Sequence, residues 1–240
     1  MPRCIECEVT VERIINVKTN TVEKCPCCGL SCDTYYEFGT TQKWIDAVLL
    51  QRSAWVHILF NEDVRLPIHL AFAIACCFIE AFVVRSFYVI TSFSADTAPT
   101  LQIVKIVKGP LYPMMNYATT LPKLFSYALS EHFLLLAAMT WVGSRSTLKG
   151  VNYEQVFSTW VKAISIATSV KLLYCLFFIW NISLSLLWLI DGLFCVWIIR
   201  GFLTLMSDKS LYYVIPRVLL CIGCRVLFRH LTGWCSQIIM

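Results

Sequence analysis

Charged residues are scarce in this sequence. They make up 15% of the 240 residues, against about a quarter in ordinary globular proteins. Hydrophobic residues make up 58%, and the mean hydropathy is +0.68. The net charge of +5 is modest and spread along the chain, so it does not indicate a nucleic-acid partner. Because the apolar runs approach the length of a membrane span, about 20 residues, most of the chain is predicted to lie in lipid.

Targeting signals are also lacking. The N-terminus is polar, so no secretory signal peptide is predicted. Position 2 is Pro2 rather than the glycine that myristoylation requires, and Cys235 lies too far from the last residue for prenylation. Membrane attachment is therefore expected to come from spans within the chain.

Paired cysteines, by contrast, are abundant near the start. Cys4 and Cys7 form one Cys-x-x-Cys pair, Cys25 and Cys28 form another, and seventeen residues separate the pairs. Zn²⁺ binds four thiolates in a tetrahedron at about 2.3 Å, and a tight turn of this spacing supplies two of them. Protein fills all four positions, so the predicted zinc is structural. Gly29 fits such a turn because glycine readily adopts a positive φ.

Disulfides and a redox Cys-x-x-Cys motif are the alternatives for these thiols. Redox motifs normally lie at a strand-to-helix turn of an α/β domain, and the sequence shows no such pattern. Cys27 and Cys32 could each take a ligand position, although the pair Cys25 and Cys28 fits best. A thiolate zinc site persists best in a reducing compartment, so the N-terminus is expected in the cytosol.

The segment between the two pairs predicts a β-hairpin. Val9 to Val22 alternates and is rich in β-branched residues, with Thr19-Asn20-Thr21 near its end. Residues 1–39 are therefore predicted to form a zinc ribbon. So short a module has little core, and the metal is expected to supply much of its folding free energy.

Residues 40–62 are predicted to form an amphipathic helix that begins at Thr40 or Thr41. Its apolar positions recur at helical spacing: Trp44, Ile45, Val48, Leu49, Trp55, Val56 and Leu59. Lys43 and Arg52 flank that face, which suits a helix lying at a membrane interface. Packing of the helix against the ribbon is the alternative.

Residues 63–204 are predicted to form an all-α transmembrane domain of about four helices, at about 66–88, 124–142, 157–180 and 182–202. A polar, proline-interrupted connection joins the first two, and its segment 101–108 could lie flat on the membrane. Residues 205–240 are predicted to be an amphipathic tail whose Arg225 and Arg229 touch anionic headgroups. Seven basic residues precede the first span and also favour a cytosolic N-terminus.

Four polar residues inside the predicted spans are candidates for lipid contact: Glu80, Glu131, His132 and Asp191. Ionisable groups in a membrane are costly and usually face a bundle interior or a cavity. Pairing of Glu80 with Arg85, and a polar contact from Glu131 and His132 to a neighbouring span, are structural alternatives. Catalysis with His132 as the base is another, although adjacent residues on a helix do not face one another.

A family resemblance rests on the residues around and after the cysteines. Asp33-x-Tyr35-x-Glu37-Phe38 follows the second pair, and His57-Ile58-Leu59-Phe60-Asn61 closes the amphipathic segment. With the two cysteine pairs, this pattern over residues 4–61 resembles the Arv family of endoplasmic-reticulum membrane proteins. The signature residues that the resemblance singles out are Asp33, Tyr35, Glu37, His57 and Asn61.

The resemblance implies a multi-pass, non-enzymatic mediator of sterol transport and distribution from the endoplasmic reticulum. It also implies effects on sphingolipid homeostasis and on the presentation of glycosylphosphatidylinositol intermediates, with membrane lipids as partners and structural Zn²⁺ as cofactor. Two further hypotheses are a membrane-anchored adaptor that recruits lipid-biosynthetic enzymes and a membrane-embedded lipid acyltransferase.

Overall fold

A computed structural model describes residues 2–17, 19–38, 40–63, 66–97, 120–147, 153–176, 187–206 and 209–232. Side chains are described within these ranges except at 87–97, 144–147, 153–155 and 187–188. A two-stranded sheet comes first and helices follow. The predicted fold class, a cysteine-bearing ribbon followed by an all-α body, is therefore confirmed. The segment 101–108, predicted to lie flat on the membrane, falls outside the described residues.

The ribbon is built on one short hairpin. Strand β1 (Ile15–Asn16) pairs antiparallel with strand β2 (Thr21–Val22). Asn20 has a φ of 50° in the connecting turn, a conformation that Asn adopts more readily than most residues. A small core lies beneath the hairpin, formed by Cys4, Val11, Ile14, Cys25 and Cys32. The hairpin predicted between the two cysteine pairs is thus present.

The amphipathic segment at 40–62 contains two helices rather than one. Helix α1 (Thr40–Val48) ends at a break, and helix α2 (Arg52–Val56) follows and continues as a π-helical turn, His57–Asn61. Leu50 has a φ of 60° at the break. A left-handed residue cannot continue a right-handed helix, so the helical period starts again after it.

The break also divides the apolar residues that were expected on one face. Those of α1 are exposed: Trp44, Ile45, Val48 and Leu49. Those of the second half are buried in the main core: Trp55, Val56 and Leu59. Lys43, expected to flank the face, is buried and pairs with Glu62. The second half therefore packs inward, while α1 keeps an exposed apolar face.

In the described part of the chain, five longer helices form the body. They are α3 (Leu66–Thr97), α4 (Leu121–Thr147), α5 (Tyr153–Thr168, continued by the 3₁₀ segment Ser169–Cys175), α6 (Leu187–Leu205) and α7 (Leu211–Thr232). Three described stretches are long and apolar enough to cross a membrane: Leu66–Ser86, Val156–Cys175 and Leu211–Thr232. Helices α3 to α6 follow the order of the four predicted spans, and the number of crossings stays a prediction.

Aromatic contacts hold α2 on one end of the body. The ring of Trp55 lies 6.2 Å from that of Trp197 on α6. Trp160 on α5 packs edge-on against Phe202 on α6, with centroids 4.8 Å apart. Gly143 on α4 lies so close to Trp160 that an added Cβ would overlap its ring. These contacts fix α2, α4, α5 and α6 together at the end that carries the ribbon.

The arginines of α7 were predicted to contact lipid headgroups, and the structure places them elsewhere. Arg225 and Arg229 are 4% and 1% exposed, and they turn into the body. Helix α7 packs there against α4 and α6. Residues four apart share one helix face, whichever way that face points, so their spacing could not distinguish an outward from an inward basic face.

Candidate metal centre and buried charge network

Four cysteine thiols meet at two turns of the ribbon. The Sγ atoms of Cys4, Cys7, Cys25 and Cys28 all lie within 4.8 Å of one another. The Cys7 and Cys25 sulfurs are 3.5 Å apart, and those of Cys4 and Cys28 are 3.8 Å apart. A tetrahedron with metal–sulfur bonds of about 2.3 Å has edges of about 3.8 Å, whereas a disulfide needs about 2.05 Å. These four cysteines can therefore bind a metal ion.

The two cysteine turns are built alike. In each, the N–H of the first cysteine donates to a carbonyl five residues later, at 3.0 Å from Cys4 and 2.7 Å from Cys25. The residue after each second cysteine has a positive φ, 60° at Glu8 and 73° at Gly29. The conformation expected of Gly29 is thus present. The Glu8 carboxylate pairs with Arg52 of α2, which ties the first turn to the helix.

Backbone N–H groups of the second turn favour the thiolate form. Those of Cys28 and Cys27 lower the pKa of the Cys25 thiol to about 6. Burial raises the pKa of Cys4 to about 12 and that of Cys32 to about 11. The two spare thiols, Cys27 and Cys32, lie outside the group of four. Hydrogen bonds to a ligating sulfur orient it and tune the site.

Signature residues form a buried hydrogen-bond network beside the first turn. Asp33 accepts at Oδ1 from the Tyr35 N–H at 3.0 Å, and so caps the 3₁₀ turn Thr34–Tyr36. Its Oδ2 accepts from Asn61 Nδ2 at 2.6 Å and lies 2.7 Å from His57 Nδ1. A buried carboxylate is costly unless its oxygens are hydrogen-bonded, and here both are.

Asn61 extends this network to the first cysteine turn. Its side-chain oxygen accepts from the Arg3 N–H, and its amide donates to the Arg3 carbonyl, each at 2.8 Å. Arg3 immediately precedes Cys4, the first of the four thiols. One side chain thus holds the backbone on which the metal site begins.

The remaining signature residues lie at the edge of the network. The Tyr35 hydroxyl donates to Asp46 Oδ2 at 2.8 Å, linking the 3₁₀ turn to α1. Glu37 is exposed, and its N–H donates to the Thr34 carbonyl at 3.1 Å. The signature over 33–61 therefore largely describes how the ribbon attaches to the helices.

A second cluster lies inside the helical body. It joins three carboxylates to three cations, and we call these six residues the charge network: Glu80, Lys171, Glu131, Asp191, Arg225 and Arg229. Lys171 lies 2.5 Å from Glu80. Arg225 lies 2.5 Å from both Glu131 and Asp191. Arg229 pairs with all three carboxylates, at 2.9 Å from Glu131 and 3.2 Å from Glu80, and also with Asp191.

The charge network occupies one level of the body. Glu80 lies fourteen residues after the start of α3, Asp191 fourteen before the end of α6, and Arg225 fourteen after the start of α7. At 1.5 Å per residue each is about 21 Å from the end of the body that carries the ribbon. If those helices cross a bilayer of about 30 Å, the network lies in the half of it farther from the ribbon.

The two structural alternatives considered for these polar residues have different outcomes. Glu80 was considered as a partner for Arg85, but Arg85 is exposed and Glu80 pairs with Lys171 and Arg229 instead. The His132 ring does not share the contacts of Glu131; its Nδ1 lies 3.4 Å from the Thr168 hydroxyl on α5. Both neighbours thus contact other helices, the alternative that helix geometry favoured.

Sequence reasoning named the carboxylates but missed their partners. Lys171 lies inside the predicted span 157–180 and was given no partner, and the two arginines were assigned to the membrane surface. A usable signal was present, because each of the three carboxylates inside the predicted spans needs a cation or a donor from another helix. Buried charges in a membrane body are usually paired with one another.

A four-cysteine ribbon fixed to a body of apolar helices defines a membrane protein with a metal-binding N-terminal unit. The chain belongs to the Arv1-like family, whose model matches residues 3–202. Protein ARV1 of Homo sapiens is 26% identical to it over 182 residues, which is 75% of this chain and 62% of the human protein. The match thus spans less than two-thirds of that relative. No solved structure matches the chain.

Proposed function

We propose that this chain mediates sterol transport and distribution from the endoplasmic-reticulum membrane, with effects on sphingolipids and on glycosylphosphatidylinositol intermediates. Membership of the Arv1-like family over residues 3–202 is the observation that carries this proposal. The three long apolar stretches agree with it, because a protein that handles membrane lipids needs a membrane location. The N-terminus is proposed to face the cytosol, where thiolates stay reduced.

The metal of this proposal is Zn²⁺, held by Cys4, Cys7, Cys25 and Cys28. Four thiolates in a closed set suit a structural zinc rather than a catalytic one, which keeps an open position. The sulfur separations of 3.5 and 3.8 Å support a tetrahedral ion. Elemental analysis of the purified protein tests it, with one zinc per chain expected and no bound metal as the contrary result.

Lipid contact by Glu80, Glu131, His132 and Asp191 is a separate part of the proposal. The three carboxylates accept hydrogen bonds from Lys171, Arg225 and Arg229. A cationic lipid headgroup would reach these carboxylates only by exchanging with one of these cations. A hydroxyl such as that of a sterol can join the network as an additional donor more readily than a phosphate, which would compete with the carboxylates for the arginines.

Photo-crosslinking tests direct lipid handling. The purified full chain is irradiated with a sterol probe and, in parallel, with a glycolipid probe, and the labelled peptides are mapped. Saturable labelling near Glu80, Glu131 or Asp191 that unlabelled sterol competes away is the expected result. His132→Ala should reduce it, whereas Ser130→Ala is the matched control, because Ser130 is exposed and bonds only to a carbonyl of its own helix.

An adaptor that recruits lipid-biosynthetic enzymes is the second candidate. It is favoured by the closure of the charge network, whose carboxylates are engaged within the body while the ribbon surface stays exposed. Absence of specific probe labelling in a folded protein would support it. Charge-reversal substitutions on the ribbon surface would then be expected to abolish function when the variant is tested by complementation in cells that lack the protein.

A membrane-embedded acyltransferase with His132 as base is the third candidate. His132 is buried and contacts Thr168. Under this hypothesis His132→Ala would abolish acyl transfer in a protein that remains folded. Sterol distribution that is unaffected by His132→Ala would exclude it.

A further inference from the structure

An exposed apolar surface near the ribbon lies along α1 and the residue that follows it. Its large side chains are 46% (Trp44), 48% (Ile45), 56% (Val48) and 64% (Leu49) exposed. With Thr40 and Thr41 they line an open groove of about 550 Å³. None of the described residues packs over these side chains to cover them. Large apolar side chains grouped on one face usually mark a binding surface.

The polar residues of α1 are kept off this face. Lys43 and Ala47 are buried against the rest of the protein, and Gln42 bonds to Asp46 at 2.9 Å on a third side. At 100° per residue, Gln42 lies about 120° around the helix from Val48. The helix therefore presents a purely apolar strip with two threonine hydroxyls at its start.

Two contacts tie this strip to the ends of candidate membrane spans. Lys43 lies 2.5 Å from Glu62, which is four residues before the start of α3 at Leu66. Four residues reach at most about 14 Å. The Glu62 carbonyl accepts from Lys162 of α5 at 2.8 Å. Because α3 and α5 contain candidate spans that begin at Leu66 and Val156, α1 is tied to the level at which these helices enter the membrane.

Residues suited to an interface surround the strip. Trp44 prefers headgroup depth, where its ring is apolar and its N–H is wet. Arg52, a few residues after α1, is half-exposed and pairs with Glu8 of the ribbon. Trp55 of α2 donates from Nε1 to the Ala47 carbonyl of α1 at 3.0 Å and packs against Trp197 of α6, so α1 is joined to the helical body.

We propose that the exposed face of α1 inserts into the interface of the bilayer that the body spans, so that this helix anchors the ribbon flat against the membrane. The occupant of the groove is then lipid acyl chain and glycerol backbone rather than a second copy of the chain or a partner protein. Insertion of α1 does not depend on which lipid the protein distributes. A result that contradicts the insertion therefore leaves the proposed role in sterol transport intact, and the reverse also holds.

Site-specific photo-crosslinking in a bilayer tests it. A benzophenone amino acid replaces Val48 in the full chain, which is reconstituted in nanodiscs of phosphatidylcholine with a fifth phosphatidylserine. After irradiation, the modified peptide is analysed for phospholipid adducts by mass spectrometry. Adducts at Val48 should exceed those at Gln42, the matched control on the same helix, by at least tenfold. They should approach those at Leu220, an exposed position on α7.

Other outcomes separate the alternatives. Equal and low lipid labelling at Val48 and Gln42 would overturn the proposal. A crosslinked dimer from Val48 would instead assign the face to a second copy. Each labelled variant is checked for full metal content and monodispersity, and Ile45 is labelled as an independent position on the same face, so a misfolded Val48 variant leaves the test intact.

Discussion

Glu8 occupies, in the first cysteine turn, the position that Gly29 occupies in the second. Both have a positive φ, but a non-glycine residue there stores of the order of 1–3 kcal/mol of strain. Glu8 also forms an ion pair with Arg52 of α2. The strain is therefore partly offset by a contact that glycine could not make, since a half-exposed ion pair contributes up to about 1 kcal/mol.

Replacement of single cysteines tests the metal site at this scale. Cys4→Ser should lower zinc affinity at least about 100-fold, because loss of even an outer partner of a ligand costs about 10–100-fold. Competition with a chromophoric chelator measures it. Cys27→Ser is the control, since Cys27 is exposed and outside the four-thiol group. An equal loss in both variants would contradict the assignment.

Asn61 is expected to position the metal site without touching the metal. Asn61→Ala removes both bonds to Arg3 and one to Asp33, leaving buried groups unsatisfied at about 1–3 kcal/mol each. We expect zinc affinity to fall by about tenfold and the ribbon to open more often, measured by chelator competition and hydrogen exchange at residues 3–10. Gln42→Ala, which removes an exposed hydrogen bond, should change neither quantity.

Helix α7 illustrates, at the scale of elements, what a one-dimensional pattern can and cannot determine. The sequence predicted an amphipathic segment there and a face of it that carries Arg225 and Arg229. The partners of that face could not be read, because Arg229 and Glu80 are 149 residues apart. Likewise the break at Leu50 carries no glycine or proline to signal it. The hairpin and the thiol set were predictable because their determinants are local or spaced by one metal's geometry.

Removal of one cation from the charge network should destabilise the body strongly. Arg229→Met leaves three buried carboxylates to share two cations, Lys171 and Arg225, and the uncompensated charge should cost about 3–5 kcal/mol. Thermal unfolding in detergent, followed by size-exclusion chromatography, measures the loss. Arg217→Met on the same helix is the control, because Arg217 bonds to a carbonyl of its own helix. Pairing Arg225→Gln with Glu131→Gln should be less harmful than Arg225→Gln alone.

At the scale of the whole molecule, two units with different sources of stability meet at α2. The ribbon has a small core and is expected to depend on a bound metal, while the body is held by apolar packing and ion pairs. The shared contacts are polar on the ribbon side, through Asn61, and aromatic on the body side, through Trp55. Removal of a bound metal should therefore destabilise the ribbon more than the helical body.

Metal removal is expected to separate them. Chelation should raise hydrogen exchange across residues 2–38 and weaken protection of Asn61, because the folding free energy of such modules is largely that of metal binding. Exchange within α3 to α7 should change little, and readdition of zinc should restore the ribbon. Loss of protection throughout the body would show that the two units fold as one.

The charge network also bears on the order in which the protein is made. Until α7 is synthesised, the body contains Glu80, Glu131 and Asp191 against Lys171 alone, an excess of two negative charges among these residues. Arg225 and Arg229 cancel that excess only after the ribosome has synthesised most of α7. The nascent chain therefore holds unmatched carboxylates until α7 has been made. Chains cut short before residue 211 should be preferred substrates for membrane protein degradation.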